Sequence, residues 1–148
     1  MTSVDEFLLV KNFVQIKSIE VVGMRIWTSY YKKIDTDRRN LIPIRISTSE
    51  PNWFNYTCGK VEILYPGWDL VNGIKSGSIT WEHYVETYKN RLANLNAKGI
   101  IEDLETISNL YGGKDIVLLC YEAPDKPCHR HLVAEWLSKY LDYEVQEV

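Results

Sequence analysis

One run of residues limits the fold of this chain more than any other. Residues 115–122 read DIVLLCYE, apolar at nearly every position rather than at every second or third. A strand with one wet face alternates apolar and polar residues, whereas an unbroken apolar run of this length suits a strand covered on both faces. Such a strand belongs inside a layered domain, with further elements packed above and below it. Side chains alternate along it, so Leu118, Cys120 and Glu122 share one face while Leu119 and Tyr121 share the other.

The flanking patterns supply the other layers. Before the run, MRIWTS and LIPIRISTS read as two strands, with Met24, Ile26 and Thr28 on one face of the first and Ile42, Ile44 and Ile46 on one face of the second. Pro43 falls near a strand start, where its missing N–H is tolerated. The charged stretch KKIDTDRRN reads as a loop, VEILY as a short strand, and residues 68–75 as a brief helix before an SGS turn. Thr80 fits the N-cap of a helix over 80–95, with Trp81, Tyr84, Val85, Tyr88, Leu92 and Leu95 on one stripe. A second helix turns Ile101, Leu104, Ile107 and Leu110 inward and stops at Gly112–Gly113. A last helix, over 128–141, buries Leu132, Val133, Trp136, Leu137 and Tyr140, and YEVQEV adds an edge strand. The expected architecture is α/β: a single compact domain over 24–148 with a small, mainly parallel sheet flanked by helices. Residues 1–23 form an extension without a clear period.

A length of 148 residues suits one domain with one core. The net charge of −3 argues against extended nucleic acid as a partner, because neutralising phosphates takes clustered Lys and Arg. No apolar run is long enough to span a bilayer, and MTSVDEFLLVKNF lacks the basic start and small-residue cleavage site of a signal peptide. Three cysteines without a dense framework suit a reducing compartment, so a cytoplasmic protein is expected.

The chemistry gathers where the central strand gives way to the last helix, in CYEAPDKPCHRH. Pro124 and Pro127 stiffen the intervening loop. Cys128 stands at the first turn of the helix, where the helix N-terminus and neighbouring Arg or His favour the thiolate. That makes Cys128 the candidate nucleophile, with His129 as base and Glu122 as orienting carboxylate. Each residue also has a plainer reading: Cys120 and Cys128 as packed thiols, His129 as a solvated polar residue, and Glu122–Arg130 as a structural ion pair. Metal ligation is not expected. The spacing C-x7-C-H-x-H matches no common closed zinc site, and neighbouring helical residues diverge by about a hundred degrees. No cofactor is expected either, since neither a Gly-rich phosphate loop nor HExxH is present.

Hydroxyl-rich strand ends extend the same locus. Thr28, Ser29 and Tyr30 close the first strand, and Ser47, Thr48 and Ser49 close the second. Ligands of open α/β sheets sit beyond the carboxyl ends of the strands, and a helix N-terminus beside an arginine suits an anion. The candidate binding residues are Arg130, Cys120, Thr28, Ser29, Tyr30 and Ser47, with Trp53 or Tyr30 as a stacking wall.

LLCYE followed by CHRHLVAEWL resembles the paired signature of the domain-of-unknown-function 488 family, a Cys-x-Glu strand and a Cys-His-Arg helix start. MRIWTSYYKKI, LIPIRISTSEPNW and SITWEHYVETYKNRL resemble runs of that family as well, so the likeness covers roughly residues 24–141. The resemblance implies a compact α/β domain in which Cys120, Glu122, Cys128, His129 and Arg130 form one locus; it carries no settled activity. The functional expectation is a pocket at the 115–122 and 128–141 junction that binds a small anionic ligand of the nucleotide kind. Two other readings stand beside it. One is a cysteine-dependent enzyme using Cys128. The other is a protein-interaction domain that docks through the aromatic stretch 53–68 and keeps the motif for structure. The N-terminal extension would cover an edge of the sheet or mediate self-association into a homo-oligomer.

Overall fold

The computed structural model describes residues 23–37, 40–121 and 128–148, so the N-terminal extension and Glu122, Pro124 and Pro127 lie outside the described residues. Among the described residues, five strands run in chain order: β1 (Ile26–Tyr30), β2 (Ile42–Arg45), β3 (Gly59–Lys60), β4 (Ile116–Cys120) and β5 (Gln146–Glu147). They form one sheet in the order β3-β2-β4-β1-β5, and every pairing is parallel. The chain is a single α/β domain.

The unbroken apolar run is the middle strand. β4 pairs with β1 from Ile26↔Ile116 to Tyr30↔Cys120 and with β2 from Ile42↔Ile116 to Arg45↔Leu119. All five of its residues are buried. Leu118 and Ile116 pack into the larger core with Ile26, Ile42, Ile44 and Ile46. Val117 and Leu119 face a smaller core made by Tyr31, Ile34 and Phe54. Pro43 sits inside β2, but its missing N–H falls on the β3 side, where pairing begins only at Ile44↔Gly59. Its carbonyl still accepts the Cys58 N–H at 2.9 Å.

Among the described residues, five helices cover the two faces unequally: α1 (Tyr31–Thr36), α2 (Trp68–Ser76), α3 (Trp81–Ala93), α4 (Ala97–Leu110) and α5 (His129–Ser138). α2 to α5 supply Leu70, Tyr84, Tyr88, Leu92, Leu104, Val133 and Leu137 to the larger core. Thr80 caps α3 by accepting the His83 N–H at 3.0 Å. Gly112 and Gly113, at φ 80° and 83°, follow the end of α4 and adopt the left-handed conformation that a side chain would resist.

Four expectations are corrected. The first part of the segment read as a loop after β1, as far as Thr36, belongs to helix α1, because Tyr31 and Ile34, three residues apart, share one face and bury it in the smaller core while Lys32 and Lys33 point away. VEILY is not a strand; residues Glu62–Leu64 form a single 3₁₀ turn that buries only Leu64, and the strand lies just before it. Leu110, expected inward, is 77% exposed because it is the last residue of α4, beyond the part that faces the core. α5 stops at Ser138, short of Tyr140, which is 48% exposed.

Candidate functional site

The parallel register brings the carboxyl ends of β1, β2 and β4 to one edge of the sheet. Tyr30 lies beside Cys120, and the chain beyond β2 stays attached to β4 through the Ile46 N–H on the Leu119 carbonyl at 3.1 Å. α5 starts above this edge. A cavity of about 330 Å³ opens there, and Ser47, Cys120, Cys128 and His129 all line it. The position accords with the rule that open parallel sheets hold ligands beyond their strand ends.

Cys128 is the N-cap of α5 and has extended backbone angles, φ −154° and ψ 145°. It therefore stands outside the helical spiral, and its side chain does not diverge from that of His129 by a helical step. Cys128 Sγ lies 3.7 Å from His129 Nδ1. Across the cavity floor Cys128 is paired with Cys120 as a disulfide, while Cys58 is free.

His129 is buried, not solvated, and its surroundings select its protonation state. Burial is the main force pushing its pKa down to about 4; the nearby Arg130 charge acts in the same direction and the hydrogen bond to Ile46 opposes both. The ring is thus neutral at pH 7. Its Nε2 stands 2.7 Å from the Ile46 carbonyl oxygen, which can only accept, so Nε2 carries the hydrogen and donates it. Nδ1 is left with its lone pair facing Cys128.

Arg130 is fully buried and does not line the cavity. Its guanidinium makes a two-pronged bond to Glu147 of β5, at 3.0 Å from Nε and 3.3 Å from Nη2. Nη1 donates to Cys120 Sγ at 3.0 Å, and the group also lies over the Tyr30 ring, 5.6 Å from its centroid. The carboxylate recorded beside Arg130 is Glu147; the expected partner Glu122 lies outside the described residues. Glu147 also stands 3.6 Å from His131 Nδ1.

The remaining candidates divide by position. Ser47 reaches the cavity, but its hydroxyl is bonded to Tyr31 Oη at 2.6 Å and donates to the Ser49 carbonyl. Thr28, Ser29 and Tyr30 do not line it. Ser29 Oγ is buried and has no hydrogen-bond partner among the described residues. Trp53 is 49% exposed, packs edge-on against Phe54 and stands outside the cavity.

Sequence reasoning missed part of the wall. Trp81 and Tyr84 line the cavity, stacked with ring centroids 4.7 Å apart. Tyr84 stacks in turn on Tyr88, whose ring meets His129 edge-on at 5.5 Å. Their helical spacing matches a core stripe, and nothing in that spacing tells a core aromatic from one at a cavity edge. Lys75, on the last turn of α2, Tyr121, Thr48 and Ser49 complete the polar lining. Among the described residues no helix is long and apolar enough to cross a membrane.

A small parallel α/β domain with a cavity at its strand ends and a sulfur–imidazole floor defines the class. Within it, the chain belongs to the DUF488 family: the family described as the active DUF488-N3 subclade matches residues 20–141. No curated protein and no solved structure matches the chain.

Proposed function

We propose that the cavity binds a small anionic ligand with a planar part, of the nucleotide kind. The observation that carries this reading is the cavity's composition: a stacked Trp81–Tyr84 wall, the cation of Lys75 and the Cys–His floor meet in one volume at the strand ends. Flat aromatic faces suit a planar ring, and a lysine at the rim suits an anion. Lys75 takes the place that the sequence reading gave to Arg130. Calorimetric titration with nucleotides and sugar phosphates tests the reading. One ligand per chain is expected, with affinity falling about tenfold in Lys75→Ala, since one charge-assisted contact contributes roughly 1.4 kcal/mol or more. A panel that gives no heat of binding, or binding indifferent to both Lys75→Ala and Trp81→Ala, counts against it.

A second reading has its own support. The lone pair of His129 Nδ1 faces Cys128 Sγ at 3.7 Å, the relation of a base to the thiol it activates, and the matched subclade is described as active. In the reduced protein Cys128 would then alkylate faster than a free cysteine at neutral pH, and His129→Ala would abolish the excess rate. The orienting role expected of Glu122 lies outside the described residues.

A further inference from the structure

We propose that Cys120 Sγ, Cys128 Sγ and His129 Nδ1 form a Cys2His site for a zinc-class divalent cation on the cavity floor, with its fourth position open to the cavity. The three ligand atoms lie within 4.8 Å of one another, and all three residues are buried. Tetrahedral zinc with ordinary bond lengths places a sulfur and a nitrogen ligand roughly 3.6 Å apart, and Cys128 Sγ and His129 Nδ1 stand at 3.7 Å. The Cα atoms of the two cysteines are 7.5 Å apart. That separation leaves room for an ion between their sulfurs once they are reduced.

Helical divergence does not separate these ligands, because Cys128 is an extended N-cap outside the helical spiral and His131 is not needed. The outer contacts suit a metal as well. His129 donates its other ring hydrogen to the Ile46 carbonyl, which holds the ring and leaves Nδ1 to ligate. Arg130 donates to Cys120 Sγ, a contact that stabilises a thiolate, and Glu147 balances the guanidinium. Two thiolates and a divalent cation sum to zero charge in a buried place. Three protein ligands with an open position make a catalytic rather than a closed structural zinc arrangement, and the cavity supplies the access.

The ion takes the reduced pair. A phosphine and one water convert the disulfide to two thiols and the phosphine oxide, and each thiol then releases its proton to solvent as its sulfur binds the metal. The test uses the full chain, phosphine-reduced and metal-free, titrated with Co²⁺ and then Zn²⁺. One cobalt per chain is expected, with a thiolate-to-cobalt charge-transfer band and the intense visible bands of tetrahedral cobalt, lost on zinc addition and absent in His129→Ala. Independently of any variant, zinc should slow iodoacetamide labelling of Cys120 and Cys128 by about tenfold or more while Cys58 labels unchanged, since a metal-held thiolate is a poor nucleophile. No charge-transfer band, or metal binding that leaves Cys120 and Cys128 as reactive as before, overturns the proposal. Nucleotide titration of the metal-free and zinc-loaded protein keeps the two proposals apart. Cobalt spectra without ligand binding sink only the pocket reading, and ligand binding without cobalt spectra sinks only the metal site.

Discussion

His129 and Arg130 are adjacent in the chain, yet they face different tasks, and each carries a measurable consequence. His129 is neutral when folded, with a pKa near 4 against an ordinary 6.5 in the unfolded chain. Below about pH 6.5 the unfolded state therefore binds the extra proton, and folding stability falls as pH drops toward 4, by roughly 3 kcal/mol in total for this one group. Above pH 6.5 the contribution is fully present. Urea titrations of the metal-free protein between pH 4 and 7 should show this slope in wild type and a shallower one in His129→Gln; equal slopes would contradict the assignment. Arg130 depends on Glu147 in another way. Glu147→Gln removes the carboxylate that two nitrogens of a fully buried guanidinium hold, and a loss of about 1–3 kcal/mol is expected, below the full cost of breaking a buried pair because Glu147 is partly exposed. Chemical denaturation at pH 7 measures it, and a change under about 0.5 kcal/mol would place the pair among surface contacts.

Among the elements, α3 and α1 show opposite relations between local pattern and outcome. α3 has a full stripe, an N-cap threonine and a core-facing row of Tyr84, Tyr88 and Leu92, so its existence and start follow from spacing alone. Thr80→Ala removes the side-chain acceptor of the His83 N–H and should cost about 1 kcal/mol, read as a lowered urea midpoint with unchanged slope. α1 has only six residues and a charged sequence, too short to be stable by propensity. It forms because Tyr31 and Ile34 have somewhere to go. They cover Val117 and Leu119 on the thinly covered face of the sheet. Ile34→Ala should therefore cost about 2–4 kcal/mol, far more than an exposed six-residue turn could lose, and a loss below about 1 kcal/mol would show α1 to be incidental.

At the level of the whole molecule, the order β3-β2-β4-β1-β5 places the last-but-one strand in the middle, so the sheet closes only when distant parts of the chain meet. β4 is paired along both edges, whereas β5 pairs through two residues at the rim. Native-state hydrogen exchange should find the amides of Val117 to Leu119 among the slowest, exchanging only with global unfolding, and those of Gln146 and Glu147 exchanging through local opening. Slower exchange in β5 than in β4 would contradict this hierarchy. The same order makes the site. The strand ends of β2 and β4, the second half of α2, one face of α3 and the start of α5 come from five separate stretches, and the cavity exists only where they converge.

Residue order alone determined the α/β class, the buried central strand, the amphipathic helix that Thr80 caps and the nearness of Cys120, Cys128 and His129 at one strand end. Apolar spacing and turn residues are local properties, so elements of this kind can be read from the chain before their partners are known. Tertiary structure decided what no spacing encodes. It paired Arg130 with Glu147, seventeen residues away; it buried His129 and so set its tautomer; it put Trp81 and Tyr84 at a cavity edge rather than wholly in the core; and it gave α1 a surface to cover. These outcomes depend on which distant groups share a volume, and in a packed interior the neighbour across the gap, not the neighbour along the chain, sets dielectric, charge partner and exposure.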